Sequence, residues 1–278
     1  MQNSSYRQTI LSIIINAILI IIALIMIFPM FWMLLLSLKT YPERFTTFFQ
    51  TLFSDFSLKN YFEAIQSDNF GLYFINSSIV AICTTAANVL FSTMVGYALA
   101  RRKFFGKALL TGSILGVLII PSHVIMIPLY RLIVKIGWLN TYWALIIPWC
   151  VTPFGIFLVW QYIRSIPVEL EDSARIDGAG FWQIFFKIIF PTAKPVLIVL
   201  AIYTFLTNWN SFLFPFLFTN SEQYRTLPVG LTFYLGKQSI DWGHLMAGAS
   251  LSAIPILVLF LIFQKQIIRG LLAGALKE

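Results

Sequence analysis

The sequence predicts an all-α polytopic membrane protein with six transmembrane helices, and three observations support this fold class. Hydrophobic residues make up 59% of the chain and charged residues only 11%, far from the usual balance of soluble domains. Several apolar runs are longer than the roughly eighteen residues that suggest a membrane span. Within the six predicted spans there is no Asp, Glu, Lys or Arg.

The first span is predicted over residues 10–36, which are 27 residues without a charge. As a helix this run would be about 40 Å long, and it is much longer than the apolar core of a signal peptide. We therefore expect it to be retained as a membrane helix. The hydrophilic stretch 39–73 follows, and within it residues 58–65 are predicted to form a short helix at the membrane surface.

The other five spans follow from the same pattern of long uncharged runs bounded by charged loops. They are predicted at about 74–100, 108–130, 142–163, 195–218 and 245–263. A polar loop at 164–194 separates the fourth span from the fifth, and a second one at 219–244 precedes the sixth. The whole chain, 1–278, is predicted to be one transmembrane domain.

The distribution of Lys and Arg predicts the orientation. An even number of spans places both termini on one side, and that side holds twelve of the nineteen basic residues. These are Arg7, Arg101, Arg102, Lys103, Lys107, Arg164, Arg175, Lys187, Lys194, Lys265, Arg269 and Lys277. The positive-inside rule therefore predicts cytoplasmic termini and a cytoplasmic loop 164–194 in the plasma membrane.

The loop 164–194 begins with a short, acid-rich predicted helix. Four of the eleven acids of the chain are Glu169, Glu171, Asp172 and Asp177. Acids in the first half of a helix are favoured by the helix dipole, and Glu171 can pair with Arg175 one turn later. Gly178 is placed to end this helix in a left-handed conformation. A polar hairpin between membrane spans predicts a water-soluble partner.

Several function classes are disfavoured by what the sequence lacks. There is no phosphate-binding loop of the Gly-x4-Gly-Lys-Ser/Thr type, no Ser-His-Asp arrangement and no metal-ligand spacing. The basic residues form no continuous stripe, so nucleic-acid binding is not expected. An ion-coupled secondary transporter remains the alternative reading, although the spans contain none of the charges that such proteins usually hold near the midplane. His123, in the third span, is the one candidate for a proton-binding group of that kind, but we expect it to be a hydrogen-bonded packing residue.

One motif in the loop identifies a family resemblance. The loop contains Asp172-Ser173-Ala174, then Gly178 after three residues, then Ile188-Ile189-Phe190-Pro191 after nine more. This pattern resembles the EAA motif of the membrane subunits of binding-protein-dependent ABC importers. The sequence departs from this motif at Asp172, Ser173 and Phe190, where the motif has Glu, Ala and Leu. Other segments resemble the carbohydrate branch of this family, and within it the six-helix second permease of maltose-type importers. These segments are Phe74–Ser78, Gly96–Arg101, Ile127–Tyr130, Ile176–Ala179, Pro191–Pro195, Trp209–Phe212 and Thr226–Val229.

The resemblance implies a type I ABC importer permease fold in which the acidic hairpin is a coupling helix that docks on a cytosolic ATPase. The residues implied in this coupling are Glu169, Glu171, Asp172, Ser173, Ala174, Arg175, Asp177 and Gly178. Partners implied are a second homologous permease, two ATPase subunits that bind ATP and Mg, an extracytoplasmic solute-binding protein and membrane lipid. The chain itself would bind no cofactor and catalyse no reaction, and its location would be a bacterial or archaeal plasma membrane.

A carbohydrate substrate, a sugar or related polyol, is also implied, and the sequence offers residues that could line its path. Asn208, Trp209 and Asn210 combine amides with an indole, which suit sugar hydroxyls and ring faces. Asn76 and Ser77 are further candidates in the second span, together with Asn88. Polar residues in spans usually face the interior of the bundle, but they also serve to hold helices together. Both roles stay open from the sequence, as does the identity of the sugar.

Overall fold

The structure is a computed structural model that describes residues 2–40, 47–54, 56–67, 69–235 and 240–275. Within these ranges the regular structure is helical, and strand-type pairing is limited to one bridge between Leu235 and Ile240. The predicted all-α fold class is confirmed. Parts of the two predicted outer loops, residues 41–46, 55, 68 and 236–239, lie outside the described ranges.

The helices follow one another along the chain with short connections. The α-helices are α1 (Gln2–Ser37), α2 (Phe48–Phe53), α3 (Lys59–Ser67), α4 (Phe70–Arg101), α5 (Lys107–Val117), α6 (Met126–Lys135), α7 (Tyr142–Ile146), α8 (Pro153–Arg164), α9 (Glu169–Ile176), α10 (Phe181–Ile184), α11 (Phe190–Thr192), α12 (Lys194–Trp209), α13 (Leu213–Phe218), α14 (Leu227–Leu231) and α15 (Trp242–Ala275). Short 3₁₀ turns lie at Ser122–Ile125, Ile147–Trp149, Glu222–Tyr224 and Thr232–Tyr234, and a π-helical turn at Phe185–Ile189. The short helix predicted at 58–65 is present as α3, and its position at the membrane surface stays a prediction.

Four segments are long and apolar enough to cross a membrane as continuous spans: Leu11–Ser37, Phe70–Arg101, Tyr142–Arg164 and Trp242–Gln266. They correspond to predicted spans one, two, four and six. Two further candidates are pairs of helices that are sharply bent at a short break. If each bent pair is one span, the total reaches the predicted six.

The predicted third span is not one straight helix. Lys107–Ile119 and Ser122–Lys135 meet at an angle of 99°. The break falls at Pro121, whose backbone is extended with ψ of 132°. Proline has no N–H to donate and disfavours a helical conformation in the residue before it, so Ile120 and Pro121 interrupt the helix.

The predicted fifth span, 195–218, also differs from the structure. Helix α12 ends at Trp209, and α13 is a separate helix that begins at Leu213. Pro215 explains the interruption, because its ring would clash with the carbonyl of Ser211 in a continuous helix. Upstream, α12 is bent by 76° from the segment Phe181–Thr192, and Pro195 lies just after that bend.

Contacts within the chain group into two compact units, Met1–Phe70 with Leu231–Ile254 and Gly71–Gly230 with Pro255–Glu278. The single transmembrane domain over 1–278 stays a prediction. In the first unit, Asn60 is buried and its Nδ2 donates to the carbonyls of Ser37 (2.9 Å) and Lys39 (2.8 Å). These bonds satisfy carbonyls at the carboxyl end of α1 that have no partner within the helix.

The second unit has a core in which the loop 164–194 packs against α4, α8 and α12. Its fully buried members include Val159, Ile163, Phe185, Ile189 and Leu200. Helices α4 and α8 approach closely because small residues lie between them. A Cβ on Gly96 would come within 3.0 Å of the Trp160 backbone nitrogen, and one on Gly155 within 2.7 Å of Asn88 Oδ1. Small residues allow such close helix contacts in membranes.

Candidate functional site: the acidic hairpin and a polar cavity

The acidic segment forms a helix, α9, that ends at a left-handed glycine as the sequence predicts. Gly178 has a φ of +81°. The N–H of Gly178 donates to the carbonyl of Arg175 (3.0 Å), and the N–H of Ala179 donates to that of Ala174 (2.9 Å). This pair of bonds is a Schellman motif, which satisfies the last carbonyls of the helix and turns the chain into the next arm. Among the described residues, no atom beyond the two chain neighbours lies within 4 Å of a Cβ built on Gly178, so the requirement for glycine here is conformational.

The outer face of α9 mixes charged and apolar side chains. The side chains of Asp172 and Arg175 are 56% and 45% exposed, and they form an ion pair of 2.6 Å. Leu170 is 45% exposed and Ile176 is 86% exposed. Glu169, Ser173 and Asp177 are exposed too, whereas Ala174 packs partly against the core. An exposed apolar group among charges suits a contact with an apolar centre and a polar rim.

Glu171 differs from the other predicted coupling residues because it is completely buried. Its Oε1 accepts from Nε of Arg101 (2.6 Å), and its Oε2 accepts from the hydroxyl of Tyr97 (2.8 Å) and from Nη2 of Arg175 (3.2 Å). The Glu171–Arg175 pair was predicted. The contacts with Tyr97 and Arg101 are not predictable from the sequence, because the run of three basic residues at the end of the second span indicates the orientation of the chain and does not identify a partner for any one of them.

The second arm of the hairpin begins at Gly180, whose N–H donates to Oε1 of Gln183 (2.8 Å). Helix α10 then passes into the π-helical turn that contains Phe185. The ring of Tyr97 lies 5.8 Å from the ring of Phe181 and 5.7 Å from that of Phe185, measured between centroids. The guanidinium of Arg102 lies 4.8 Å from the centre of the Phe181 ring. Both arms of the hairpin therefore contact the last turns of α4.

A cavity of about 270 Å³ lies in the second unit between α4, α12 and the breaks in the predicted third and fifth spans. Its lining is polar and aromatic: Asn88, Ser122, His123, Trp149, Thr152, Tyr203, Thr204, Thr207, Asn208, Ser211, Phe212, Leu213 and Phe214. Hydroxyls, amides and aromatic rings are groups that can bind an uncharged polyhydroxy compound. His123 also lines this cavity, which the sequence did not predict. Its ring stacks on that of Phe214, with 6.4 Å between the ring centroids.

Of the predicted path residues, Asn88 and Asn208 line this cavity, while Asn76, Ser77, Trp209 and Asn210 do not. Asn76 is buried, and its Nδ2 donates to the carbonyls of Gln223 (2.9 Å) and Arg225 (2.8 Å). Ser77 is buried too and accepts from the N–H of Leu227 (2.7 Å). The Asn76 Nδ2 and the Ser77 hydroxyl thus bind backbone groups of residues 223–227, and the Asn76 Oδ1 accepts from the hydroxyl of Tyr142 (2.6 Å). In this structure both side chains connect α4 to neighbouring segments of the chain.

Trp209 and Asn210 also lie apart from the cavity. Trp209 is 2% exposed, and its ring stacks on that of Phe205 at 5.6 Å. Asn210 is exposed, and its Nδ2 donates to the carbonyl of Leu206 (3.0 Å). Asn208 belongs to the last turn of α12 and lines the cavity, whereas Asn210 is the residue that caps this helix and lies outside the cavity lining.

Comparison with known proteins gives a consistent result. The family described as binding-protein-dependent transport system inner membrane component matches residues 88–273. The chain is 36% identical over 259 residues to the arabinooligosaccharides transport system permease protein AraQ of Halalkalibacterium halodurans, covering 92% of this chain and 93% of that protein. It is 35% identical over 265 residues to the trehalose/maltose transport system permease protein MalG of Thermococcus litoralis, covering 93% and 94%.

Among solved structures, the chain resembles one from a bacterial ABC transporter involved in the import of the acidic polysaccharide alginate. The TM-score is 0.82, and the alignment covers 91% of this chain and 95% of that chain. At 22% sequence identity this likeness concerns the fold. It agrees with the all-helical arrangement described above.

Proposed function

Because the chain belongs to the family of binding-protein-dependent transport system inner membrane components, and is thus a multi-pass membrane permease subunit of an ABC importer, we propose that it forms a sugar translocation path with a second, homologous permease. ATP and Mg are bound by separate ATPase subunits, and the chain is a transport component with no catalytic role of its own. This membership also argues against the ion-coupled alternative.

The cavity is the observation that supports a sugar or related polyol as the transported solute. Its polar groups are hydroxyls and amides together with His123, and its aromatic rings include those of Trp149 and Tyr203. Hydroxyls and amides can both donate to and accept from sugar hydroxyls, and the rings offer flat apolar faces. The relatives named above, which carry arabinooligosaccharides and trehalose or maltose in their names, point to the same class of solute.

The acidic hairpin is the proposed docking element for a cytosolic ATPase. Its exposed face offers Leu170 and Ile176 for apolar contact and the Asp172–Arg175 pair for polar contact. The Schellman turn at Gly178 fixes the angle between its two arms. We place this hairpin and both termini in the cytoplasm of a bacterial or archaeal cell, on the positive-inside argument. The stretches 39–73 and 219–244 then face outwards, where they can receive a solute-binding protein.

The test is reconstitution. The chain, the second permease, the ATPase and the binding protein are placed in liposomes, and ATP-dependent uptake is measured with a panel of labelled sugars, polyols, amino acids and inorganic ions. We expect uptake of one carbohydrate class only, and only when all four components are present. Uptake by the chain without the other subunits would contradict the proposed assembly. Uptake of amino acids or ions in place of carbohydrates would contradict the proposed solute.

A further inference from the structure

We propose that Glu171 locks the hairpin onto the carboxyl-terminal turn of α4, so that the hairpin and α4 move as one body during transport. The inference rests on the proposed docking of the hairpin on an ATPase and adds the route by which that docking reaches the cavity. It makes Glu171, Arg101 and Tyr97 positioning residues that act inside this chain, and leaves the ATPase contact to the exposed residues of α9.

The first observation is the number of bonds on one buried carboxylate. Both oxygens of Glu171 are occupied, one by Arg101 at 2.6 Å and the other by Tyr97 at 2.8 Å and Arg175 at 3.2 Å. The Arg101 side chain is itself only 9% exposed, and its Nη2 donates to the carbonyl of Ile166, just before the hairpin. A buried charge pair that loses one member leaves the other without compensation, which is strongly unfavourable. The hairpin therefore cannot shift relative to Arg101 without a large penalty.

The second observation is that the same turns of α4 hold the other arm of the hairpin by aromatic contacts. The Tyr97 hydroxyl reaches Glu171 in α9, while the Tyr97 ring contacts Phe181 in α10 and Phe185 in the π-helical turn. Arg102 lies over the Phe181 ring. Two independent sets of contacts, one ionic and one aromatic, thus attach both arms to the same end of α4.

The third observation is that α4 runs without a break from the hairpin to the cavity. Asn88, nine residues before Tyr97 and so about 13 Å away along the helix, lines the cavity. Ser92 Oγ donates to Asn88 Oδ1 (2.6 Å), and Asn88 Nδ2 donates to Thr152 Oγ1 (3.1 Å), also in the cavity wall. A displacement of the hairpin can therefore reach the cavity wall through a rigid helix, with no loop between them.

The first experiment compares Tyr97→Phe with Tyr162→Phe in the complete reconstituted importer. Tyr97→Phe removes one bond to Glu171 and keeps the ring in place. Tyr162 packs partly against the same core, but its hydroxyl is not a donor to Glu171, so Tyr162→Phe is the matched control. We expect normal assembly in both, and in Tyr97→Phe a fall of about fivefold or more in solute taken up per ATP hydrolysed. A wild-type ratio in an assembled Tyr97→Phe complex would overturn the lock.

The second experiment requires no change within the lock. Spin labels on exposed Lys103, just after α4, and exposed Lys187, in the second arm, report the distance between these two segments. We expect that distance to be the same in the nucleotide-free and ATP-bound importer, since the two segments would move together. A distance that changes between the two states overturns the proposal.

The outcomes separate this proposal from the proposed function. If no ATPase copurifies with the wild-type chain, then the docking of the hairpin is wrong. If the ATPase copurifies and uptake is normal, but the distance changes or the Tyr97→Phe ratio is that of the wild type, then only the lock is wrong. Glu171→Gln gives a graded check, because it keeps the shape of the side chain and removes its charge. Its uptake per ATP in the assembled fraction should fall below that of Tyr97→Phe.

Discussion

Glu171 and Asp172 are neighbours in the sequence, yet one carboxylate is fully buried and the other is 56% exposed. Glu171 accepts bonds from Tyr97 and Arg101 inside the chain, whereas Asp172 forms an ion pair with Arg175 and is exposed on the outer face of α9. We therefore expect these two adjacent acids to have different roles. Changes at Asp172 should affect docking, and changes at Glu171 should affect what happens after docking.

Asp172→Lys should weaken the association with the ATPase. It places a positive charge beside Arg175 on the exposed face, where a cation of the partner is expected, and like charges in an interface cost several kcal/mol. Asp172→Glu keeps the charge and serves as the control. We expect normal abundance of both variants in the membrane, with reduced ATPase copurification and lost uptake for Asp172→Lys only. Full uptake by Asp172→Lys would show that this face does not dock.

Gly178→Ala should impair coupling, whereas Gly180→Ala should not. Gly178 has a φ of +81°, and a left-handed backbone costs a residue with a Cβ about 1–2 kcal/mol. Gly180 has a φ of −73°, and a Cβ there would meet only Gln183 Oε1 at 3.9 Å. Uptake and ATPase copurification are measured for both, together with Gly178→Leu, for which we expect a stronger effect. Equal uptake and equal ATPase copurification in the two alanine variants would show that the left-handed turn at Gly178 is not needed for coupling.

Asn208→Leu should lower uptake more than Asn210→Leu does. Asn208 lines the cavity, and Asn210 is exposed outside it. Both side chains donate to the carbonyl four residues earlier, so the two substitutions remove the same local bond. We expect about a tenfold or greater loss of uptake for Asn208→Leu, equivalent to roughly 1.4 kcal/mol, at an unchanged basal ATPase rate. A larger effect at Asn210 would move the solute path to the exposed face.

Asn76→Leu should destabilise the folded chain, because the carbonyls of Gln223 and Arg225 and the hydroxyl of Tyr142 would all lose their bond to the Asn76 side chain. These bonds are partly buried, and the loss of a typical hydrogen bond costs about 0.5–1.5 kcal/mol. The thermal midpoint of the purified complex should fall, and solute specificity should stay the same. A change of solute preference at normal stability would instead return Asn76 to the solute path.

Single cysteines should report the orientation. In a background without Cys83 and Cys150, a cysteine at Glu222 should react with a membrane-impermeant maleimide in intact cells, and one at Asp177 only after permeabilisation. Both side chains are accessible, since Glu222 is 59% exposed and Asp177 is exposed. The predicted companion site at Asp55 lies outside the described residues. The reverse labelling pattern would invert the orientation derived from the basic residues.

The all-helical fold class and the approximate positions of the spans could be predicted from the sequence, because both depend on local properties of the chain. Long uncharged runs favour helices in a membrane, since every backbone polar group must be bonded internally. The turn at Gly178 was likewise predictable from one glycine placed after an acidic helix. The breaks at Pro121 and near Pro215 were harder to predict, because membrane helices often tolerate proline when neighbouring groups satisfy the freed carbonyls.

By itself, the sequence determined that this chain is an all-helical membrane protein and that its acidic segment forms a capped helix, through composition, charge placement and a single left-handed glycine. Only the tertiary structure decided which polar side chains face the cavity and which hold the chain together. Asn76, Asn208 and Asn210 are the same residue type in apolar surroundings, so nothing local distinguishes them. The partners of Glu171 depend on a helix seventy residues earlier in the chain, and that contact exists only once the two segments have packed.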